Sequence, residues 1–171
     1  KTIERDASGN ITKFNLVAGF GASTITEKDV QDIGKIPGVE AIAPSSLITA
    51  AISTPDVDSY AGALIVATTS DMAEILNQKI EPGDFFTDDT SRKNEAVIGI
   101  NVANNVFGQR DPIGRAMTIR GQDFIVRGIF APFPSNPLNV GQNYNDAVFI
   151  PLKKKKKVSG AVEIREVNIK V

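Results

Sequence analysis

Glu95–Phe133 reads EAVIGINVANNVFGQRDPIGRAMTIRGQDFIVRGIFAPF, and its punctuation decides how the rest of the chain is read. Ala96 to Ile100 is an apolar run of strand length. Asn101 follows as a residue suited to cap a short helix, and Gly108 to Gly114 supply a turn through Asp111-Pro112. Met117 to Ile119 and Phe124 to Phe130 then form the arms of a hairpin, with Gly121 free to take the positive φ that a tight reversal needs. The segment carries no catalytic set. Its information is architectural.

Outward from it, the same periodicities recur. Ile11 to Val17 reads as a strand. Thr26 with Asp29 three residues on resembles a capping arrangement. Val30, Ile33 and Ile36 follow at helical spacing, so Glu27 to Lys35 is expected as a short amphipathic helix stopped by Pro37-Gly38. A strand starting at Val39 is expected to break at Pro44 and resume over Leu47 to Ser53. Thr54 to Ser59 reads as a loop, and Ala63 to Thr68, apolar throughout, as a strand covered on both faces. Ser70 is placed to cap a helix over Asp71 to Asn77, and Ala147 to Pro151 reads as a closing strand. In Val162 to Val171 the alternation slips by one position between Ile164 and Val167, which predicts a bulge. The fold class expected is α+β: a β-α-β lobe with an inserted, mainly antiparallel β lobe carrying short helices. Residues 1–54 with 158–171 form the first lobe and residues 55–157 the second, with the two crossings at Thr54 to Ser59 and Lys153 to Val158.

Composition narrows the chemistry. The 171 residues include no cysteine and no histidine, which removes thiol nucleophiles, disulfides, the usual zinc sites and histidine-based triads. The 19 basic residues nearly balance the 20 acidic ones, and a net charge of −1 argues against nucleic acid as a partner. No apolar run approaches the roughly 20 residues that span a bilayer. Gly19-Phe20-Gly21 lacks the third glycine of a dinucleotide fingerprint, and no cofactor is expected. Asp56, Asp58, Tyr60 and Gly62 imitate the start of a calcium loop, but no glutamate closes it and a turn is the simpler reading; no metal site is expected. Asp88-Asp89 offers paired carboxylates in a polar loop with no apolar pocket to tune them. Ser23, Ser45, Ser46 and Ser135 lack the nucleophile-elbow pattern, so no catalytic residue is assigned. The five lysines from Lys153 to Lys157 fit either a solvated loop or an anionic lipid surface. Ala131 to Asn145 is a long loop with three prolines, in which Phe133, Leu138 and Tyr144 are candidates for contact with a partner, the opposing reading being that they fold back over the hairpin.

Taken in order, VIGINVANNVFG, DPIGRAMTIRGQDFIVRGIF and VFIPL resemble the extracytoplasmic core domain of the MacB/FtsX/LolCE type of ABC-transporter permease, with IPGVEAIAP and KIEPGDFF matching upstream. Val106 and Arg115 stand where Leu and Lys are usual in that family. The resemblance implies a domain outside the cell membrane, on its periplasmic or extracellular face, that couples cytoplasmic ATP hydrolysis to export, lipoprotein release or signalling. It implies membrane helices before Lys1 and after Val171, with both ends emerging on one side, and a first lobe whose second half lies beyond the final strand. The partners implied are an ABC ATPase subunit or domain, a second permease subunit, and an adaptor or outer partner protein; ATPase activity belongs to the nucleotide-binding part and this domain is no enzyme. Two other classes stay open on the residues alone: a stand-alone extracellular ligand-binding module, and a carboxylate or Ser/Lys hydrolase.

Overall fold

The computed structural model describes residues 25–89, 94–108, 110–134, 143–154 and 164–171, and the backbone of residues 3–5 and 11–14. Lys1, Gly19 to Gly21, Ser23, Ser135, Leu138 and Lys155 to Val158 lie outside the described residues.

The fold is α+β. Strands β1 (Ile3–Arg5) and β2 (Ile11–Phe14) pair antiparallel as a two-stranded sheet. Helix α1 (Glu27–Gly34) opens with the capping box expected: Thr26 Oγ1 accepts from the Asp29 N–H at 3.2 Å, and the Asp29 carboxylate accepts from the Thr26 N–H at 2.8 Å. The two orphan donors are satisfied reciprocally, with acid in the positive first turn. Strand β3 (Ala41–Ile48) follows and runs unbroken through Pro44, against the expected interruption. The proline is tolerated because its nitrogen lies on the β6 side, where pairing with β6 begins only at Ser46, and its carbonyl on that side accepts from the Thr68 hydroxyl at 3.0 Å.

Thr54 to Ser59, expected as a loop, is instead a hairpin between β4 (Ile52–Thr54) and β5 (Val57–Tyr60). Its turn is closed by the Thr54 hydroxyl, which accepts from the Val57 N–H at 3.1 Å. Strand β6 (Leu64–Thr68) leads to helix α2 (Met72–Leu76), which lacks the expected Ser70 cap: the Ser70 hydroxyl donates to Asp88 at 2.7 Å instead. Strands β7 (Ile80–Gly83) and β8 (Glu95–Ile98) come next. β8 stops two residues short of the expected end, because Gly99 takes the N-cap position of α3 (Ile100–Val102), displacing Asn101 from that role. A π-helical turn, Ala103–Phe107, continues α3.

The hairpin of β9 (Ala116–Ile119) and β10 (Gln122–Phe130) is as expected, and Arg120 (φ 47°) and Gly121 (φ 77°) both take the left-handed conformation that a two-residue reversal between twisted strands requires. Strands β11 (Ala147–Pro151) and β12 (Glu166–Lys170) complete the chain. The slip after Ile164 is a change of partner: Ile164 bridges Ile25, while β12 pairs with β3.

One sheet runs in the order β12-β3-β6-β11-β8-β10-β9-β4-β5, with β7 pairing the second half of β10. Among the described strands, β6 with β11 and β8 with β10 are parallel pairs. The central strands are buried on both faces, which explains their continuous apolar sequence. Along β11, Val148 and Ile150 join one core with Ile48, Ile52, Met117, Ile119, Phe124 and the π-turn residues Val106 and Phe107. Ala147 and Phe149 join the other, with Met72, Phe86 and Phe130. Among the described residues no helix is long and apolar enough to cross a membrane.

Candidate functional site

Of the contact residues expected on the long loop, the structure describes Phe133 and Tyr144, and both fold back against the sheet. Phe133 lies 5.1 Å from Phe130 and 5.6 Å from Tyr144, and Tyr144 lies 5.7 Å from Phe149, centroid to centroid. Phe130 and Phe149, both fully buried, meet edge to face at 5.4 Å, and Phe85 extends the block at 6.0 and 6.1 Å from them. Offset and tilted contacts of this kind satisfy the ring quadrupoles as well as burying area. Phe133 and Tyr144 each keep part of their surface in solvent.

The two ends of the loop are clasped by one amide. Asn145 Oδ1 accepts from the Phe133 N–H at 2.8 Å, and Asn145 Nδ2 donates to the Phe133 carbonyl at 3.1 Å. Gln78 Nε2 donates to the carbonyls of Ala131 and Pro132 at 3.1 and 2.8 Å, and Asn101 Nδ2 donates to Asp146 at 2.8 Å. Gly99 packs under this base: a Cβ there would lie 2.3 Å from the Tyr144 carbonyl oxygen. The base of the loop is therefore a fixed aromatic and amide platform. Burial raises the Tyr144 phenol above its ordinary pKa, and the negative charge of Glu166 adds to the shift. Sequence reading missed Asn145, Gln78 and Phe85. The asparagine-rich NYND at the loop's end was the one available signal, since asparagine amides are suited to hold turns.

Two of the hollows beside the sheet bear on the candidate residues. One, of about 390 Å³, lies between α1 and the end of β11 and is lined by Val30, Gln31, Pro44, Thr69, Leu152 and Lys154, among others. Asp88 and Asp89, expected to have no apolar pocket beside them, line this hollow with Val30, Pro44 and Leu152, and the Asp88 carboxylate is engaged by the Ser70 N–H and hydroxyl at 2.9 and 2.7 Å. Lys153 lines it as well. The other hollow, of about 490 Å³, lies between the β4–β5 turn and the π-turn, spanned by the Asp56–Arg110 ion pair and the hydrogen bond from Asn105 to the Tyr60 hydroxyl at 3.2 Å. Asp56 thus serves an ion pair. Ser45 and Ser46 are buried within β3. Among the described residues no three metal-ligating side chains converge. Walls, clasps and aromatic contacts are what this arrangement provides, in keeping with a domain that transmits or receives contact.

The fold is shared with the extracytoplasmic parts of two transporters. The periplasmic region of MacB from Actinobacillus actinomycetemcomitans superposes with a TM-score of 0.72 at 14% identity, over 87% of this chain and 65% of that one. The extracellular domain of the ABC-type transporter YknZ from Gram-positive bacteria gives 0.70 at 19% identity, over 86% and 73%. The chain belongs to the MacB-like periplasmic core domain family, whose profile it matches across residues 1–171. A curated relative, the pyoverdine export ATP-binding/permease protein PvdT of Pseudomonas aeruginosa, is 30% identical over 109 residues, 63% of this chain. The chain spans only 16% of that protein's length.

Proposed function

We propose that this chain serves as the extracytoplasmic domain of an ABC-transporter permease subunit, anchored to the cell membrane by parts of the protein outside it. Its role is to couple cytoplasmic ATP hydrolysis to export, lipoprotein release or signalling by changing conformation. The observation that carries this reading is the family match along the whole chain. ATP is hydrolysed on a separate nucleotide-binding domain or subunit, and a second permease subunit and an adaptor or outer partner complete the assembly. The two-part division belongs to the same reading, with residues 1–54 and 158–171 nearer the membrane and residues 55–157 inserted. It is supported by the return of β12 to pair with Ala41–Ser45. The boundary at residue 54 is bridged, since β4 pairs with β9 and Ile48 and Ile52 pack in one core with residues of the inserted part.

The loop from Ala131 to Asn145 is proposed to touch a partner through Leu138 and the solvent-facing parts of Phe133 and Tyr144. Large rings on a clasped base lose little conformational entropy on docking. The test of the main reading is to delete residues 1–171 from the intact protein and reconstitute it with its ATPase in vesicles. ATP hydrolysis is expected to persist while transport or release is lost. Transport at the full rate without the domain would refute the reading.

A further inference from the structure

Among the described residues, the buried polar side chains are Ser45, Ser46 and Thr68, and all three lie where β3 passes from one partner strand to the other. Residues Ala41–Ser45 pair with β12, and Ser46–Ile48 pair with β6. At the changeover the Ser45 carbonyl accepts from the Arg165 N–H at 3.0 Å, on the β12 side. Pro44 faces β6 and has no N–H to give; its carbonyl accepts from the Thr68 hydroxyl at 3.0 Å. A side-chain bond therefore replaces a ladder bond at the seam.

That bond belongs to a relay across three strands. Asn168 Nδ2 on β12 donates to Ser45 Oγ at 3.1 Å, Ser45 Oγ lies 3.1 Å from Thr68 Oγ1, and Thr68 donates on to Pro44. Ser45 has one hydroxyl proton and two acceptors within reach, Thr68 Oγ1 and, at 3.5 Å, the Ala43 carbonyl of its own strand. A peptide N–H is fixed by the backbone, whereas a hydroxyl proton can turn about the Cβ–Oγ bond from one acceptor to the other and remain satisfied. The packing beside the seam is also slack. Pro44 and Thr69 line the 390 Å³ hollow under α1, and Thr69 Oγ1 is buried without a hydrogen-bond partner. An apolar, close-packed seam would resist relative movement of its two sides; this one is bridged by hydroxyls and lies beside a hollow.

We propose that Pro44–Ser46 is a joint built into β3, and that the Asn168–Ser45–Thr68 relay is the latch setting how readily the end of the sheet carrying α1 and β12 opens from the rest. The inference concerns the β12 edge of the sheet, within the first of the two parts proposed above, and is independent of whether the protein transports anything. It places the softest point of the sheet in a strand that changes partner along its length.

Peptide-resolved hydrogen exchange on the intact protein tests it, because a local opening and global unfolding respond differently to distant substitutions. Thr68→Val breaks the latch and is expected to speed exchange of the β12 and Ala41–Ala43 amides roughly five- to tenfold, the effect of one or two lost buried hydrogen bonds. Ile119→Val, in the far core, is expected to speed exchange of the β8 and β11 amides while leaving β12 unchanged. If both variants speed both sets alike, the sheet opens as one unit and the joint is wrong. If Ile119→Val spares β12 but Thr68→Val spares it too, the β12 edge opens separately and the latch is refuted. Asn168→Ala, at a half-buried edge position, carries the same comparison should Thr68→Val fail to fold.

Discussion

Replacing Gly99 by alanine tests how the platform under the loop is built. Gly99 has φ −77° and ψ 162°, a conformation open to any residue, so backbone strain contributes nothing and the whole effect is steric. A Cβ there would lie 2.3 Å from the Tyr144 carbonyl oxygen, 2.4 Å from that of Asn145 and 2.6 Å from the Asn145 carbonyl carbon. All three are backbone atoms, and none can swing aside as the end of a side chain could. Relief requires the Tyr144–Asp146 turn to move by most of an ångström, away from the Gly99 N–H that donates to the Ala147 carbonyl at 2.8 Å. Overpacking of this kind costs about 1–3 kcal/mol, and weakening that hydrogen bond adds about 1 kcal/mol. The expected loss is thus about 2–4 kcal/mol, equivalent to a fall in Tm of roughly 4–16 °C for a chain of this size. Urea denaturation followed by circular dichroism measures it, and hydrogen exchange should report loosening first at Asn143–Ala147. A variant within about 0.5 kcal/mol of the parent, the spread of neutral surface changes, would refute the argument that the platform requires glycine here.

Phe149→Ala removes a fully buried ring at the centre of the aromatic block and should cost about 3–5 kcal/mol by denaturant titration; Phe133→Ala, only partly buried, should cost clearly less. Equal losses would mean that the loop base is core throughout. Thr26→Ala removes half of the α1 capping box and should cost about 1 kcal/mol, read as faster exchange confined to the first turn of α1. The raised pKa of Tyr144 makes stability fully present below the unfolded phenol value of about 10 and lost as pH rises through the higher folded value. Tyr144→Phe should therefore flatten the alkaline limb of a Tm-against-pH curve, and an unchanged limb would show that the phenol does not carry it.

The parts of the fold legible in sequence were those where a local signal and a tertiary need coincide. Thr26 and Asp29 announce the α1 cap because both halves of that motif lie within four residues. The β9–β10 hairpin was legible for the same reason, with Gly121 at the turn and alternating arms. Where one partner is distant, reading failed. Ser70 has the right chemistry to cap α2, but Asp88, eighteen residues on, takes its hydroxyl, and sequence order holds no trace of that competition. Pro44 looked like a strand breaker because a proline lacks a donor; the hydroxyl that takes its carbonyl comes from Thr68. Thr54 to Ser59 looked like a loop because Thr-Pro-Asp favours turns, and it is indeed a turn, but one short enough to leave paired strands on both sides.

The loop residues show the same limit from the functional side. Phe133 and Tyr144 were singled out as aromatic residues in a proline-rich loop, a criterion blind to what lies beneath them. What decides their position is Asn145, whose single amide bonds both the N–H and the carbonyl of Phe133 twelve residues away. Because that clasp holds the rings against Phe130 and Phe149, a double alanine substitution would disturb folding and contact together and could not separate them. Leu138→Ser alters no residue of the clasp or of the aromatic block, so weakened assembly with unchanged stability would support partner contact by the loop, and unchanged assembly would refute it.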